Sequence, residues 1–546
     1  MDNQKLVLYV ALSFVLLMLW QAWQQDYGSK SISSPAEQGV YPLGGPAVKT
    51  GGGTDIPRPG ATSVLPAAPS QSVLKSAERI HVVTDRLNVE IDSTGGDLRQ
   101  VELRSYPVVV EQPDQAFQFL SEAPERMFIA QGGLLGNSAP NHYASYKIEQ
   151  SDYRLSENAS TLQVPLSWHH SSGMEIIKVY TFHRDSYVVK LDYQVHNSTN
   201  AEWQGQIYSQ FQRIEPPNKK SAFGIYTYTG GVVSSPENIY DKVDFSRMKK
   251  ENLSLDFKGG WLAMIEHYFA AALIPPTDIL IHAYTKIVDG ERYVLGYVGP
   301  VVTLQPGENA TISTSFYIGP KDQQHLKNAA TNLELTVDYG KLTIIAQPIY
   351  WLLALIQGVV HNWGWSIIFL TILIKAAFFH LSATSYKSMA QMRKLTPRIQ
   401  ALKERFGDDR QRMNEAMMEI YRKEKINPLG GCLPIVVQIP VFIALYWVLV
   451  ESVELRQAPW MFWIHDLSAQ DPYYVLPLIM GVTMFVQQKL SPAPPDPIQA
   501  KVMMAMPIFF TAMFLFFPSG LVLYWVVNNT LSITQQWYIT NKLIND

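Results

Sequence analysis

The chain has 546 residues, of which 47% are hydrophobic, 12% aromatic and 17% charged, and its formal net charge at pH 7 is -3. This length permits several domains, and the nearly balanced charge gives no sign of a nucleic-acid binder. The single cysteine, Cys432, excludes a disulfide within any extracytoplasmic domain.

The N-terminus carries an apolar run, LVLYVALSFVLLMLWQAWQQ, with Trp20 and Trp23 near one end, as expected at a membrane interface. No small-residue cleavage site follows it, since Ala22-Trp23-Gln24 does not fit the pattern. Residues 1–27 are therefore predicted to be an uncleaved signal-anchor helix. Residues 28–76 are rich in Gly, Pro and Ser and are predicted to be a flexible linker.

Residues 77–340 are predicted to form an all-β sandwich. Apolar and polar residues alternate with the period of a half-buried strand from Leu87 to Asp92 and from Val189 to His196. The pairs Gly95-Gly96 and Gly230-Gly231 are expected to supply turns. Only the run WLAMIEHYFAAAL, which begins at Trp261, allows a helix, so the pattern favours one large antiparallel sandwich.

The second half of the chain is a series of apolar runs. The run from Pro348 to Val360 has 13 residues, which is about 20 Å of helix and too short to cross a bilayer. It is predicted to be an amphipathic helix in the membrane interface, within residues 341–362. Five candidate spans follow: 363–383, 432–450, 473–489, 502–517 and 519–537. Together with the N-terminal anchor they make six.

Loop charges give the orientation of these spans. The loop 384–428 contains eleven Lys or Arg residues, whereas the loop from Glu451 to Pro472 contains only Arg456. Cytoplasmic loops carry an excess of basic residues, so the first loop is predicted to be cytoplasmic and the second external. Both termini are then cytoplasmic, and the β domain lies outside.

The basic loop is predicted to be a helical hairpin. Thr396-Pro397 is expected to begin one helix that stops at Gly407, and Asp408 and Asp409 to cap a second helix that ends before Asn427-Pro428. Its methionine-rich apolar stripes either pack on each other or also contact varied hydrophobic partners. They are Met389, Met392, Leu395, Ile399, Leu402 and Phe406 on the first helix, and Met413, Met417 and Ile420 on the second.

One lysine interrupts the span 363–383. Lys375 lies eight residues before the end of this span, about 12 Å along a helix, so its side chain only partly reaches the headgroups. An ionisable group at that depth costs at least ~2.5 kcal/mol, which makes a functional role the default interpretation. Thr371 lies on the same helical face, and Gln438 lies within the next span between Pro434 and Pro440. The last span is unusually polar, through Asn528, Asn529, Thr530, Ser532 and Thr534.

Long strings of the sequence resemble the YidC family of bacterial membrane-protein insertases, in the form that carries a periplasmic domain. They include NPLGGCLPIVVQIPVFIALYWVL from Asn427, FPSGLVLYWVVNN from Phe517 and KGGWLAMIEHYFAAALIP from Lys258. The resemblance covers essentially the whole chain. It implies a polytopic α-helical membrane protein with a five-helix insertase core in residues 363–546, built from the span 363–383 and from 429–546, beside the periplasmic sandwich.

The resemblance also implies the site and the partners. The site is a hydrophilic groove that binds client proteins and holds one basic residue, and the implied groove residues are Lys375, Thr371, Gln438, Pro440, Phe442, Tyr524 and Trp525. Clients would be nascent inner-membrane proteins, received alone or beside the Sec translocon. The family usually supplies arginine where Lys375 stands, and lysine lacks the planar fork that clamps a carboxylate. His380 replaces a proline frequent in relatives, which weakens the expectation of a kink.

The chain ends at Asp546, close to the last span, so ribosome contact is expected only weakly, through the cytoplasmic hairpin. The sequence contains no phosphate-binding loop, no HExxH and no nucleophile elbow, so no enzyme, cofactor or metal site is predicted. An ion-coupled transporter or channel is one alternative, although no repeated halves are found. A carbohydrate-binding or carbohydrate-active sandwich is another, but IHDLSAQDP, with His465 and Asp466, lies in a membrane loop and fits turn and cap roles better.

Overall fold

The computed structural model describes residues 55–57, 76–217, 227–289, 291–406, 409–424, 433–490 and 497–542. The predicted anchor and most of the predicted linker lie outside the described residues, and so do Cys432, Gly407 and Asp408. Asp55, Ile56 and Pro57 are described, and they pack on the β domain with Asp55 and Pro57 buried. The flexible linker predicted for residues 28–76 therefore has at least these three residues packed on the β domain.

The β domain consists of two facing sheets, which confirms the predicted all-β sandwich. The first has the order β14-β17-β18-β11-β5-β3-β2-β1-β7, with β4 paired to β3, and the second the order β13-β12-β15-β16-β19-β10-β9-β8-β6. All pairs are antiparallel except β1 with β7. The strands are β1 Arg79–Val83, β2 Leu87–Asp92, β3 Asp97–Pro107, β4 Ala116–Leu120, β5 Phe128–Gly136, β6 Lys147–Ile148, β7 Asp152–Arg154, β8 Thr161–His169, β9 Met174–His183, β10 Val188–Asn197, β11 Trp203–Ile214, β12 Gly230–Ser234, β13 Asp241–Val243, β14 Ser254–Lys258, β15 Trp261–Ile265, β16 Phe269–Ile274, β17 Leu280–Val288, β18 Arg292–Leu304 and β19 Asn309–Pro320.

The alternating segments are strands, as predicted, because one face of each is buried between the sheets. Leu87, Val89 and Ile91 of β2 are at most 1% exposed. The possible helix at Trp261 is instead the hairpin of β15 and β16, in which Leu262 pairs with Leu273. All five residues of β15 are buried. A strand covered on both faces reads as a continuous apolar run, which periodicity cannot distinguish from a helix.

The two glycine pairs differ in role. Gly95 and Gly96 have φ of 77° and 61° and form the turn between β2 and β3, as predicted. Gly230 and Gly231 are not a turn but the first residues of β12. A Cβ on Gly231 would lie 2.8 Å from Met248 Cε and 2.9 Å from Val243 O, so close packing explains this glycine.

Helices make up most of the chain beyond the β domain, as predicted. They are α1 Phe245–Lys250 and α2 Gln323–Ala329 in the β domain, followed by α3 Thr343–Val360, α4 Trp363–Ala377, α5 Phe379–Phe406, α6 Arg410–Lys423, α7 Leu433–Glu451, α8 Val475–Leu490, α9 Pro497–Phe514 and α10 Ser519–Lys542. The last helix, α10, contacts α4, α5, α7 and α8, and α3 packs against α4 and α7.

The first two helices after the β domain lie where helices were predicted, but they differ in detail. The helix α3 lies within the predicted residues 341–362 and begins five residues before Pro348, so with the preceding turn it forms a 21-residue apolar segment, Gly340–Val360, longer than the 13-residue run. Among the described helices this is the single straight one long and apolar enough to cross a membrane. The predicted span 363–383 is bent by 66° between α4 and α5. The bend lies at Phe378, so it forms without a proline at position 380.

The predicted start of the hairpin at Thr396-Pro397 was wrong, because α5 runs through it without a break. A helix already in progress needs no cap, and Pro397 is accommodated inside it. Asp409 does cap α6, since its side chain accepts a hydrogen bond of 3.1 Å from the backbone N–H of Arg412.

Polar contacts join the β domain to the helical region. Lys321 Nζ lies 2.9 Å from Glu451 Oε2, and the two side chains are 2% and 4% exposed. The ring of His267 donates through Nε2 to Val450 O at 2.8 Å. Arg456 and Gln457 both donate to Pro107 O, at 2.7 and 2.9 Å. The external end of α7 is therefore held against the sandwich.

Candidate functional site

Lys375 is buried among helices in the structure. It lies on α4, three residues before the bend, and its side chain is almost fully enclosed, at 7% exposed. Its Nζ donates a hydrogen bond of 2.7 Å to Ser532 Oγ on α10. The lysine thus bridges the first and last helices of the predicted core.

Ser532 continues into a short polar chain. Its hydroxyl donates to Asn528 O, one turn earlier on α10, at 2.8 Å. The side chain of Asn528 in turn accepts a 3.0 Å hydrogen bond from Gln438 Nε2 on α7. Tyr386 of α5 lies close to Ser532. Three helices besides α4 therefore contribute polar groups around the lysine.

A small cavity lies beside this chain, at the bend between α4 and α5. Its lining residues are Lys375, Phe378, Leu381, Ser382, Val437 and Gln438. The cavity has a volume of about 10 Å³, which is room for about one water molecule. The bend separates the facing side chains of α4 and α5, and this leaves space between them and α7.

In the described part of the chain, Lys375 has no acidic partner. Among the residues that the structure describes, none of Asp or Glu lies within ion-pairing distance of Lys375 Nζ, and its hydrogen-bond partner Ser532 is neutral. The other buried lysine near the membrane domain, Lys321, is paired with Glu451. A buried cation with only neutral partners attracts an anionic group that can reach it.

Only part of the predicted groove comes together around Lys375. Gln438 shares its cavity, whereas the hydroxyl of Thr371 donates to Ile367 O of its own helix at 2.6 Å and is 1% exposed. Pro440 lies inside α7, two residues after Gln438.

The predicted aromatic residues form a separate layer. Phe442 stacks on Tyr524 with ring centroids 6.0 Å apart and meets Trp525 edge-on at 4.9 Å. Tyr524 precedes Ser532 by eight residues of α10, or about two helical turns. The aromatic layer therefore lies about two helical turns away from Lys375 along α10, and its rings pack between α7 and α10.

Ser532, Asn528 and Tyr386 were missing from the predicted groove residues. The polar character of the last span was a signal for the first two, but it did not distinguish them from their neighbours. Thr530 and Thr534 are exposed, and each donates to a carbonyl of its own helix, so they carry the same polarity without facing the site. Only the rotation of α10 against α4 separates the two sets.

Part of the two apolar stripes on α5 and α6 packs together. Leu395 of α5 is buried with Met417 and Tyr421 of α6, and Met392, Ile399, Met418 and Ile420 pack around them. This agrees with the simpler interpretation of the stripes. The second one, contact with hydrophobic partners, stays a prediction.

The backbone of the loop IHDLSAQDP is held by hydrogen bonds to its two acidic side chains. Asp466 Oδ1 accepts from the backbone N–H groups of Gln457 and Ser468, at 2.9 and 2.8 Å. Asp471 accepts from Leu476 N at 2.7 Å, at the start of α8. These are turn and cap contacts, as predicted, and His465 is exposed beside them.

Comparison with known proteins gives full-length matches. The family model described as YidC periplasmic domain matches residues 79–352, and the one described as 60Kd inner membrane protein matches residues 355–546. Proteins named "Membrane protein insertase YidC" from Nitrosococcus oceani and Methylococcus capsulatus are 48% and 49% identical, over 100% of this chain and 99% of theirs. A solved structure titled as an active YidC insertase has a TM-score of 0.40 and 16% identity, and the alignment covers 85% of this chain and 93% of that one.

Proposed function

The chain belongs to the YidC family of membrane protein insertases, and we propose that the buried cation of Lys375 is the point at which it receives polar segments of its clients. Family membership agrees with the prediction that the chain is not an enzyme. It also places the protein in the inner membrane with its β domain on the periplasmic side. The clients are nascent membrane proteins.

The observation that carries the proposal is the unbalanced charge of Lys375. An acidic residue of a client tail that approaches within about 4 Å gains at most ~4 kcal/mol at an effective dielectric of 20, before desolvation is subtracted. Ser532 and Gln438 offer hydrogen bonds to the same segment. The cavity at the bend is the place where such a tail enters, and separation of α5 from α7 widens it.

The free energy for insertion comes from the client. Each CH₂ of the client that moves from water into lipid contributes roughly 0.8 kcal/mol. The membrane potential contributes about 2.3 kcal/mol per 100 mV for each acidic residue that moves outward. The polar groups around Lys375 lower the barrier by replacing water around a tail that is halfway across.

The proposed arrangement has six membrane spans and both termini in the cytoplasm. Its support is the charge of residues 384–428, together with the five candidate spans after α3. Although α3 is long enough to cross a membrane, the proposal keeps it in the interface, because a second crossing between the periplasmic β domain and the basic loop would put that loop outside. The bent pair of α4 and α5 counts as one span. Contact with the Sec translocon and weak ribosome contact through α5 and α6 belong to the same proposal. The bilayer surrounds the spans, and no nucleic-acid binding is included.

Two alternative functions lose their support. A carbohydrate-active site at His465 and Asp466 conflicts with the turn contacts of Asp466. A transporter or channel would need a continuous aqueous path, whereas the cavity at Lys375 admits about one water molecule. Family membership supports insertion instead.

The test compares substitutions of Lys375 with matched clients. The client is a short single-span protein whose tail carries zero, one or two acidic residues, and insertion is measured by protease access from outside. Lys375→Arg should retain activity because the charge and reach remain. Lys375→Leu should impair mainly the acidic tails, and Lys375→Glu should be worst because of repulsion.

The client with an uncharged tail is the internal control. If Lys375→Leu inserts all three clients as well as the parent does, the lysine is merely a tolerated buried charge. The proposal then loses its central residue, although the family assignment stands.

A further inference from the structure

A built site on the β domain holds a segment of the N-terminal linker. Asp55 is 4% exposed although the sequence around it is rich in Gly and Pro. The hydroxyl of Tyr143 donates to Asp55 Oδ1, and His142 Nε2 lies 3.3 Å from Asp55 Oδ2. A buried carboxylate in a segment of this composition needs specific partners to offset its desolvation, and here it has two.

The imidazole of His142 is oriented from its other side. Tyr208 OH accepts the backbone N–H of His142 at 2.9 Å and lies 2.6 Å from Nδ1 of the same ring. These two contacts fix the ring so that Nε2 faces Asp55. Burial alone would raise the pKa of Asp55, but the contacts with His142 and Tyr143 hold that pKa below its ordinary value. The site therefore favours a carboxylate over a carboxylic acid.

Apolar contacts extend the site past the carboxylate. Ile56 packs on a patch made by Leu135, Tyr208 and Val298, with Tyr284 beside it. Pro57, the next residue, is buried as well. Three consecutive linker residues thus fill one site with an acid, an aliphatic side chain and a proline.

The receiving loop is shaped for this contact. Residues 137–145 fold back over β5, where Leu134 N donates to Pro140 O at 2.9 Å. A Cβ on Gly133 would lie 2.8 Å from Asn141 Cα and 3.0 Å from Tyr208 OH. Any larger residue at 133 would push this loop away, so the position of His142 depends on that glycine.

We propose that His142, Tyr143 and the Leu135–Tyr208–Val298 patch form a peptide-docking site on the β domain, and that its occupant is the chain's own segment Asp55–Ile56–Pro57. Docking divides the connection between the proposed anchor and β1. The chain between the proposed anchor and the first held residue then shortens to residues 28–54, which can span at most roughly 95 Å, whereas residues 28–78 could span at most roughly 180 Å. The β domain and the anchor are thereby held on a shorter tether.

The first experiment is disulfide trapping in the full-length protein in lipid nanodiscs. In a Cys432→Ser background, Ile56→Cys is combined with Val298→Cys, and the rate of cross-linking under mild oxidant is measured. We expect a fast reaction that falls at least tenfold when Asp55→Ala or Tyr143→Phe is added. Glu37→Ala, which removes another linker carboxylate, should leave the rate unchanged.

A pair outside the site sets the background rate. In the pair Ile56→Cys with Ile239→Cys, the second thiol is on an exposed residue between β12 and β13 of the second sheet. Docking is overturned if the Val298 pair reacts no faster than this pair, or if Asp55→Ala leaves its rate unchanged. Unchanged thermal unfolding of the Tyr143→Phe protein shows that a lower rate reports docking and not a misfolded domain.

A second measurement tests the site with a free peptide. A fluorescent peptide, TGGGTDIPRPGAT, is titrated into full-length protein in which residues 55–57 are replaced by serines. We expect saturable binding that is lost when the peptide aspartate is replaced by asparagine or when Tyr143→Phe is introduced. Equal binding of the aspartate and asparagine peptides would contradict a carboxylate-selecting site.

Discussion

At the scale of single residues, the partner of Lys375 decides how available its charge is. Ser532 holds Nζ through a neutral hydrogen bond of 2.7 Å. Under the proposed function, Lys375 can exchange this hydrogen bond for one to a client carboxylate, because a charged acceptor forms a stronger hydrogen bond with an ammonium group than a hydroxyl does. The hydrogen bond to Ser532 therefore orients the amine without neutralising it.

The first prediction replaces that partner by an acid. Ser532→Asp should place a permanent carboxylate beside Lys375, so insertion of a client with two acidic tail residues should fall about tenfold or more. A client with an uncharged tail should be much less affected. The assay is protease access to the inserted tail. Ser532→Asn is the matched control, since it keeps a neutral polar group there, and a loss equal to that of Ser532→Asp would contradict the argument.

A second prediction concerns the pH dependence at His267. Burial, together with the charge of Lys321, lowers the pKa of His267 to about 4 from its ordinary value of 6.5. The folded state thus favours the neutral ring, and the stability this provides is complete above pH 6.5 and is lost as the pH falls toward 4. Between pH 6.5 and 4.5 the melting temperature of the parent should fall a few degrees more than that of His267→Gln.

Exposed histidines provide the control for this measurement. His169 is exposed, so His169→Gln should follow the parent across the whole pH range. Glutamine at position 267 can still donate a hydrogen bond to Val450 O, so the difference between the two proteins reports protonation of the His267 ring. Parallel curves for the parent and His267→Gln would show that the ring is protonated in the folded protein.

Residue-level reasoning from sequence found the buried charge but not its surroundings. Lys375 was identifiable because a charge inside an apolar run is expensive wherever it lies. Ser532 is 157 positions away along the chain, and no periodicity relates α4 to α10. Thr371 was predicted from its position on the same helical face as Lys375. Its hydroxyl instead donates a hydrogen bond to Ile367 O of its own helix.

At the scale of elements, the bend between α4 and α5 creates the site. The direction changes by 66° at Phe378, and the cavity lies at this point, lined by residues from both sides of the bend and from α7. The sequence marked this region as a span but not as a bent one, because the usual signal, proline, is absent. Phe378 N still bonds to Ile374 O, and Ser382 N to Phe378 O, so the backbone bends with those two hydrogen bonds in place.

Strand prediction succeeded and failed for a related reason. Where one strand face is only half-buried, as at Asn88 and Glu90 of β2, alternation identified the strand. Where both faces are buried, as in β15, alternation vanished and a helix remained possible. The uncertainty at β15 did not affect the predicted sandwich, because many other strands kept the alternating pattern.

The third prediction concerns the hairpin of α5 and α6. Replacing residues 396–425 by a Gly-Ser linker should abolish insertion although the protein remains in the membrane, because the proposed topology puts the hairpin on the side from which clients arrive. Its Leu395–Met417–Tyr421 core is small, so the rest of the helical region should remain folded. Insertion of a single-span client and membrane fractionation are the measurements.

The control keeps the charge but not the structure. A Gly-Ser linker with as many lysines as residues 396–425 have basic residues preserves the orientation signal. If this linker restores insertion, the hairpin only sets topology and has no contact with clients.

At the scale of the whole molecule, the β domain and the helical region share one rigid junction. Lys321 of the β domain and Glu451 of α7 form a nearly inaccessible ion pair, and His267, Arg456 and Gln457 add hydrogen bonds around it. Next to this junction, within the helical region, Tyr350 of α3 donates a hydrogen bond to Glu454, which follows α7. Burial raises the pKa of Glu454 to about 7, so near neutral pH this carboxyl is partly protonated.

Such a junction connects the periplasmic sandwich to the same helix that carries Gln438. The sequence indicated two domains but not how they join, because Lys321 and Glu451 are 130 positions apart and each looks like an ordinary surface charge. Only tertiary structure reveals that both are buried. The orientation of the β domain therefore follows from α7, and a movement of α7 during insertion must either carry the sandwich with it or break the pair.

The last prediction tests whether this pair holds the two parts together. Lys321→Met leaves the Glu451 carboxylate buried without a partner, which should cost about 3 kcal/mol, whereas Lys321→Met combined with Glu451→Met removes both charges and should recover most of that loss. Hydrogen exchange at residues 450–456 measures the opening of the junction: it should accelerate in the single variant and return close to the parent rate in the double variant. Lys249→Met is the control, because Lys249 forms an exposed pair with Glu215 away from the junction, and it should leave exchange there unchanged. If Lys321→Met alone exchanges at the parent rate, the ion pair does not hold the domains, and the backbone contacts of Pro107 and Val450 must carry the junction.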